Sequence, residues 1–272
     1  MLPSPALEAH HFEALGTSCS LFGLGVSRTD LLQGEFWVRE LGTRITRFSD
    51  RSELGALNRA EGEWVEVSEE LEALLREALR AHQLSGGLVN AAVLPSMLAI
   101  GYTRSLRDGV STPALAEARP APALADVLTV ERHRARLARG CGIDLGGIAK
   151  GWMADRLVAR LGVNALANLG GDLRAAGPGP HGDGWPVGFA GVTAMLRDQG
   201  AATSSVRRRR WGGLHHLIDP RTGLPSKSGL EEVSVVTATA IEAEVVAKTA
   251  LLLGPGLATA YCAAHSQAWW LQ

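Results

Sequence analysis

The stretch Gly140–Asp172 constrains the fold most, because it alternates apolar segments with paired glycines. We predict a strand, a glycine turn, an amphipathic helix, a second strand and a second glycine turn, in that order. The pairs Gly146-Gly147 and Gly170-Gly171 would lie at strand ends, where backbone N–H groups can face an anion. Lys150 and Asp155 fall near the start of the predicted helix. The grouping favours a phosphate or pyrophosphate site, although its spacing matches neither common phosphate loop.

Each polar residue in these patterns also has a purely structural interpretation. The glycines can permit tight packing, and Lys150 can be a solvated residue of the first helical turn. Asn90 is the one strongly polar residue of the apolar segment 88–102, where a hydrogen-bonded core asparagine is the simpler interpretation. His216 lies in the polar turn HHLIDPRTGLP, and without a partner site a bond to local backbone is favoured.

Composition narrows the classes of function. With 272 residues, 46% of them hydrophobic and 20% charged, the chain can bury one large core or two modest ones. A formal net charge of -1 argues against a general nucleic-acid binder. The four arginines 207–210 are an exception that could touch an anionic ligand or RNA, but we favour a solvated edge strand there.

The cysteines and the hydropathy pattern bear on location. Three scattered cysteines without CxxC spacing predict neither a structural zinc site nor a disulfide framework, and an odd count suits a reducing compartment. The first residues lack the apolar core of a signal peptide, and no segment is apolar for the length of a membrane span. We therefore expect a cytoplasmic protein without a membrane span, for which export would require a leader segment beyond this sequence.

Helical and strand patterns recur along the rest of the chain. We predict a first strand and its hairpin partner within 11–26, amphipathic helices over 29–45 and from Ser68 to 84, and a short helix capped by Ser52. A proline-rich surface connection over 103–125 precedes a hairpin within 127–137. Later strands are expected over 173–176, 185–190, 233–238 and 268–271, and later helices over 241–253 and 257–264.

Eight segments, taken in their order and spacing, resemble the bacterial FAD:protein FMN transferase family, the ApbE-like flavin transferases. They are EALGT, RFSDRSELGALNRA, SGGLVNAAVLP, IDLGGIAKGWMAD, NALANLGGD, ATSS, HLIDPRTGLP and EAEVVAKTALLLG, and they run from about residue 13 to residue 254. The resemblance implies an α+β fold, with a mixed or antiparallel sheet core of the T-fold type flanked by helices. The expected organisation is a single domain over 1–272, within which two lobes can pack closely.

The resemblance also implies a reaction and a set of ligands. FAD would bind in a cleft between sheet and helices, with magnesium on its pyrophosphate. A Ser or Thr hydroxyl in the target motif of a partner flavoprotein would attack the FMN-side phosphorus, release AMP and leave FMN as a phosphoester. Such chemistry needs neutralisation of the pyrophosphate charge, a base for the hydroxyl and an in-line approach.

The family's roles fall on matching residues of this sequence. His216 matches the candidate base, with Lys150 and Asp144 as further catalytic positions, because an imidazole of near-neutral pKa suits proton removal from an alcohol. Phe48 would pack on the flavin or adenine, and Asp155 would lie near the adenosine. The metal position combines the Ala149 carbonyl with Glu244 and Lys248. The implied FAD contacts are Leu15, Gly16, Thr17, Phe48, Asn90, Gly146, Gly147, Ile148, Lys150, Asp155, Gly170, Gly171, Asp172, Thr203, Ser204 and His216.

Departures from the family pattern leave alternatives open. Glu244 and Lys248 stand where the family has aspartate and threonine metal ligands, and a charged lysine cannot ligate a cation. Lys248 could replace part of the cation's charge, it could mark a protein that holds FAD without catalysis, or it could pair with Glu244 as an i,i+4 salt bridge. The alternative functions are therefore a non-catalytic FAD-binding protein, such as a carrier, sensor or accessory subunit, and an FAD pyrophosphatase.

Overall fold

The structure, a computed structural model, describes residues 6–272. Its strands are β1 (Leu7–Ala14), β2 (Thr17–Leu24), β3 (Trp64–Glu66), β4 (Leu128–Glu131), β5 (Arg134–Leu137), β6 (Ala165–Leu169), β7 (Asp172–Ala176), β8 (Trp185–Phe189), β9 (Val192–Leu196), β10 (Gly200–Ser205), β11 (Arg210–Trp211), β12 (Leu214–His215), β13 (Ile218–Asp219), β14 (Leu224–Pro225), β15 (Glu232–Thr237) and β16 (Ala268–Leu271). The helices are α1 (Arg28–Arg44), α2 (Glu53–Arg59), α3 (Glu69–Leu84), α4 (Leu94–Ala99), α5 (Leu124–Val127), α6 (Ala149–Leu161), α7 (Ala240–Leu253) and α8 (Pro255–His265).

A seven-stranded sheet in the order β1-β2-β6-β7-β10-β15-β16 forms the centre of the fold. All of its paired strands run antiparallel. Helices α1, α6 and α7 pack on one face, and the β8–β9 hairpin covers the other face with Trp185 and Phe189. The predicted α+β class is confirmed, with an antiparallel sheet. No helix of residues 6–272 is long and apolar enough to cross a bilayer.

Two tight turns lie at the same end of this sheet. Leu15-Gly16 joins β1 to β2 and Gly170-Gly171 joins β6 to β7, and all four residues have positive φ. Two-residue hairpin loops favour this geometry because it matches the strand twist, and glycine adopts it without steric cost. The pairing of Cys19 with Leu169 brings the two turns side by side, and Thr203 on β10 bonds to the Gly171 carbonyl at 3.1 Å.

The predicted strand at the beginning of the Gly140–Asp172 stretch is wrong. Residues 141–145 pair with no strand of the described chain. Instead, the Asn58 side chain bonds both the N–H and the carbonyl of Ile143, and the Asp144 N–H donates to the Ala91 carbonyl. These separate partners satisfy the backbone groups that a neighbouring strand would otherwise bond, so the segment joins no sheet before the turn that precedes α6.

Helix α7 is buried on nearly every side, unlike the amphipathic surface helices. The Thr239 side chain caps it by accepting from the Glu242 N–H. The Asp155 carboxylate on α6 accepts from the N–H groups of Ala240 and Ile241 at 2.9 and 3.0 Å. A carboxylate at a helix N-terminus complements the helix dipole, so this contact fixes α7 against α6.

Candidate functional site

A cavity of about 590 Å³ opens at the end of the sheet that carries the two glycine turns. Its volume suits a small-molecule or cofactor site. Most predicted FAD contacts and the predicted metal position line it together: Leu15, Gly16, Thr17, Phe48, Asn90, Asp144, Gly146, Gly147, Ile148, Ala149, Lys150, Gly170, Asp172, Thr203, Ser204, His216, Glu244 and Lys248. Asp155 and Gly171 are missing from this wall.

The cavity wall is basic although the whole chain is not. Six basic side chains, Arg47, Arg107, Lys150, Arg208, Arg209 and Lys248, face three acidic ones, Asp144, Asp172 and Glu244. Arg107 is also paired with Glu13, which lies outside the cavity. The remaining excess of two positive charges favours a ligand with about two negative charges, such as a pyrophosphate diester.

An ion pair orders the first glycine turn. Asp144 accepts from the Arg47 Nε at 2.7 Å with one oxygen and from the Gly146 N–H at 2.8 Å with the other. The Arg47 side chain is 2% exposed and also donates to the Tyr102 carbonyl. Because the Gly146 N–H is already satisfied, this part of the predicted amide cradle is closed to an anion. Asp144 thus holds the turn in place.

An aromatic shelf edges the cavity beside this ion pair. The Arg47 guanidinium carbon lies 4.2 Å from the Phe48 ring centre and 4.6 Å from that of Tyr102. Phe48 and Tyr102 are in turn 5.6 Å apart, and Phe48 remains 43% exposed. An exposed ring anchored by a cation on one side can stack on a planar ligand with the other. Arg47 and Tyr102 were absent from the sequence prediction, which singled out Phe48.

Lys150 lies between two buried carboxylates. Its ammonium contacts Asp172 from β7 and lies 3.5 Å from Glu244 Oε1 on α7. The other Glu244 oxygen accepts from the Gly151 N–H at 2.9 Å. Burial lowers the pKa of Lys150 and nearby cations lower it further, whereas Glu244 raises it. Lys150 is therefore a positioned charge and not the solvated residue of the structural alternative.

Lys248 reaches the first glycine turn. Its ammonium donates to the Gly147 carbonyl at 2.7 Å, and a Cβ at residue 147 would overlap it. Lys248 and Glu244, both within the described chain, form no ion pair with each other, because Glu244 turns to Lys150 and Gly151. The i,i+4 salt bridge considered from sequence is therefore wrong. A side chain at residue 147 would therefore displace the ammonium from this position.

His216 follows β12 and lines the cavity beside these cations. Its Nδ1 is buried and has no hydrogen-bond partner within the described residues. Burial holds the pKa of His216 well below its ordinary value, and the charges of Arg209 and Lys248 lower it further. The imidazole is thus neutral at neutral pH and can accept a proton. No local backbone bond satisfies this nitrogen, in contrast to the structural interpretation from sequence.

The arginine run does not form the predicted solvated edge strand. Residues 206–209 make a bend, and only Arg210 belongs to a strand, β11. Arg209 has a φ of 50°, an unusual backbone geometry that turns it toward the cavity, where it makes a long 3.5 Å contact with the Leu15 carbonyl. Arg207 instead pairs with Glu231 on the surface. Tertiary contacts of Arg207 and Arg209 therefore prevail over the strand that we predicted for residues 207–210.

Two further residues predicted to contact FAD do not line the cavity. Asp155 lies outside the cavity wall because its carboxylate caps α7, so its placement does not support the predicted adenosine contact. Gly171 also lies off the wall, with its N–H bonded to Asn168 Oδ1 at 2.9 Å. Asn90 does line the cavity, but its amide bonds the Pro122 carbonyl and the Ala92 N–H, as expected of a core asparagine.

The residues at the predicted metal position do not fit a divalent ion. Both Glu244 oxygens lie against N–H groups, and Lys248 presents an ammonium beside the Gly147 carbonyl. Residues 6–272 contain no group of three or more His, Cys, Asp or Glu side chains arranged to hold a metal. Mg²⁺ requires oxygen ligands in a regular octahedron, and a fixed ammonium would repel it. The Lys248 ammonium therefore occupies the position that the family resemblance assigns to the metal ion.

Comparisons with known proteins agree with this architecture. The chain is 33% identical over 242 residues to the FAD:protein FMN transferase of Treponema pallidum, covering 75% of this chain and 66% of that protein. It is 30% identical to that of Klebsiella pneumoniae, covering 79% and 72%. The ApbE protein of Thermotoga maritima superposes with a TM-score of 0.80 at 25% identity, covering 91% and 87%. The flavin transferase ApbE of Vibrio cholerae superposes with a TM-score of 0.79 at 21% identity, covering 98% and 97%.

The family assignment rests on nearly the whole chain. The model of the ApbE family matches residues 15–270, which include every cavity residue named above. The chain therefore belongs to the ApbE family.

Proposed function

We propose that this protein is an FAD:protein FMN transferase, which moves FMN from FAD to a Ser or Thr hydroxyl of a partner flavoprotein. One observation carries the proposal: a basic cavity with an aromatic edge also holds a neutral, unpartnered histidine. The relatives from T. pallidum and K. pneumoniae bear the name of this activity. An FAD molecule offers a planar ring system and a pyrophosphate, which match the shelf and the cations respectively.

The proposed reaction uses this chain's own groups. The acceptor hydroxyl attacks the FMN-side phosphorus, a new P–O bond forms, and the P–O bond to AMP breaks. His216 takes the hydroxyl proton, since its imidazole is neutral. Lys150 and Lys248 stabilise charge on the phosphoryl oxygens, and Asp144 keeps the glycine turn in position for in-line attack. Thr203, hydrogen-bonded to Ser234 at 2.8 Å, offers a further polar wall for the phosphates.

The test is incubation with FAD and a flavoprotein domain that carries a Ser/Thr acceptor motif. Flavinylation is followed by in-gel fluorescence and intact mass, and AMP by chromatography. We expect one FMN per acceptor and one AMP released, with transfer reduced about 100-fold or more in His216→Gln. The exposed His181→Gln is the matched control and should remain active.

Two results would contradict the proposal. If FAD binds tightly but no acceptor is flavinylated at any Mg²⁺ concentration, the protein is an FAD-binding protein without transferase activity. If FMN and AMP appear without any acceptor, it is an FAD pyrophosphatase. The cytoplasmic location stays a prediction, which fractionation of the producing cells would check.

A further inference from the structure

Two of the chain's three lysines lie in the cavity, in a protein whose other 24 basic residues are arginines. Lys150 and Lys248 are there, and Lys227 is exposed elsewhere. An ammonium is a compact point charge on a slender stem, whereas a guanidinium is a wide planar fork. The ammonium lies close against the glycine turn, because a Cβ at residue 147 would overlap it.

The position and the charge of the Lys248 ammonium depend on several neighbouring groups. Its stem rises from the buried helix α7, and its ammonium donates to the Gly147 carbonyl at 2.7 Å. Burial lowers the pKa of Lys248, the Glu244 and Asp144 charges raise it, and Arg209 lowers it further. A dianionic ligand in the cavity would also favour the protonated form of Lys248, as the two carboxylates do. The ammonium thus stands beside the turn, at the position that the family resemblance assigns to a metal ion.

We propose that Lys248 is a built-in cation that takes the place of a divalent metal, so that FAD binding and FMN transfer in this protein are independent of metal. This proposal rests on the proposed function, since it assigns a role toward the FAD pyrophosphate. Arg209, whose guanidinium makes a single long contact within the described residues, adds a second cation to the cavity wall. Two monovalent side-chain cations together supply the charge that one divalent ion would bring.

The first experiment measures FAD affinity by quenching of flavin fluorescence, in EDTA and in millimolar Mg²⁺. We expect the wild-type dissociation constants to agree within about twofold and the FAD-loaded protein to contain no stoichiometric metal by mass spectrometry. Lys248→Met should weaken binding in EDTA by about 10- to 100-fold, the range for a lost hydrogen bond to a charged group. Lys227→Met is the matched control and should bind like the wild type.

Two further variants keep the test informative if Lys248→Met is unstable. Gly147→Ala displaces the ammonium without removing it, so it should weaken FAD binding while circular dichroism remains native. Lys248→Thr with Glu244→Asp restores oxygen ligands, and its FAD affinity should become dependent on Mg²⁺. Loss of wild-type binding in EDTA, one bound metal per FAD, or unchanged binding by Lys248→Met would each overturn the proposal.

The outcomes separate this proposal from the proposed function. Transfer that occurs only with Mg²⁺ would support the transferase and overturn the role of Lys248. FAD binding that is unaffected by EDTA and weakened in Lys248→Met, without any transfer, would support the cation role and refute the transferase.

Discussion

Gly170→Ala tests whether the second glycine turn is required by its geometry. Gly170 has a φ of 72°, and an alanine there pays about 1–2 kcal/mol for the left-handed conformation. Its Cβ would also lie 2.5 Å from Thr17 Cγ2 and 2.9 Å from Thr17 Cβ. Overpacking of this kind costs about 1–3 kcal/mol. The sum is about 2–5 kcal/mol in the free energy of unfolding, or roughly 4–9 °C in Tm for a chain of this size.

Two comparisons isolate the steric part of this cost. Gly182 has a φ of 92° and open space around it, so Gly182→Ala carries the backbone cost alone, about 1–2 kcal/mol. Adding Thr17→Ala to Gly170→Ala removes the nearest side-chain atoms and should recover about 1 kcal/mol or more. Urea unfolding followed by circular dichroism compares these three variants with the wild type. If Gly170→Ala costs no more than Gly182→Ala, the contact with Thr17 does not constrain the turn.

Three further predictions follow from the site. Asp155→Ala should reduce the free energy of unfolding by about 2 kcal/mol in urea titrations because it removes the acceptor at the start of α7, and Asp155→Asn should lose about half as much. His216 has a depressed pKa, so below about pH 6.5 the unfolded chain binds a proton that the folded chain excludes. The free energy of unfolding should therefore decrease as the pH is lowered through that range. This decrease should be smaller in His216→Gln than in His181→Gln. Arg209→Met should weaken FAD binding about 10-fold in fluorescence titrations, whereas Arg207→Met, outside the cavity, should not.

The hairpins and helices were predictable because their signals are local. Paired glycines, capping serines and helical periodicity set α1, α3 and the β6–β7 turn within a residue or two. The failures occur where partners come from far along the chain. Residues 141–145 look like a strand by composition, but Asn58, more than eighty residues earlier, occupies the hydrogen bonds that a neighbouring strand would use.

The residues of the site were predictable from the sequence where they belong to recognisable motifs. Most cradle residues line one cavity, but Arg47 was missed and Arg209 was expected on a solvated edge strand, because a charged residue in an irregular segment shows no periodicity. A usable signal was present in the composition: 24 of the 27 basic residues are arginine, so the three lysines stand out. Two of them, Lys150 and Lys248, line the cavity, whereas Lys227 is exposed.

Helix α7 sets the position of the site's cations through contacts at three successive turns. Asp155 holds its first residues, Glu244 bonds the Gly151 N–H, and Lys248 bonds the Gly147 carbonyl, so one face of α7 is fixed along the start of α6. A lysine that is already ordered loses little side-chain entropy when a pyrophosphate binds. Asp155→Ala should therefore weaken FAD binding although Asp155 lies outside the cavity wall. Because it removes no charge from the cavity, the salt dependence of binding should stay as in the wild type, whereas in Lys248→Met it should become shallower. Equal salt dependence in both variants would show that Lys248 acts through packing and not through its charge.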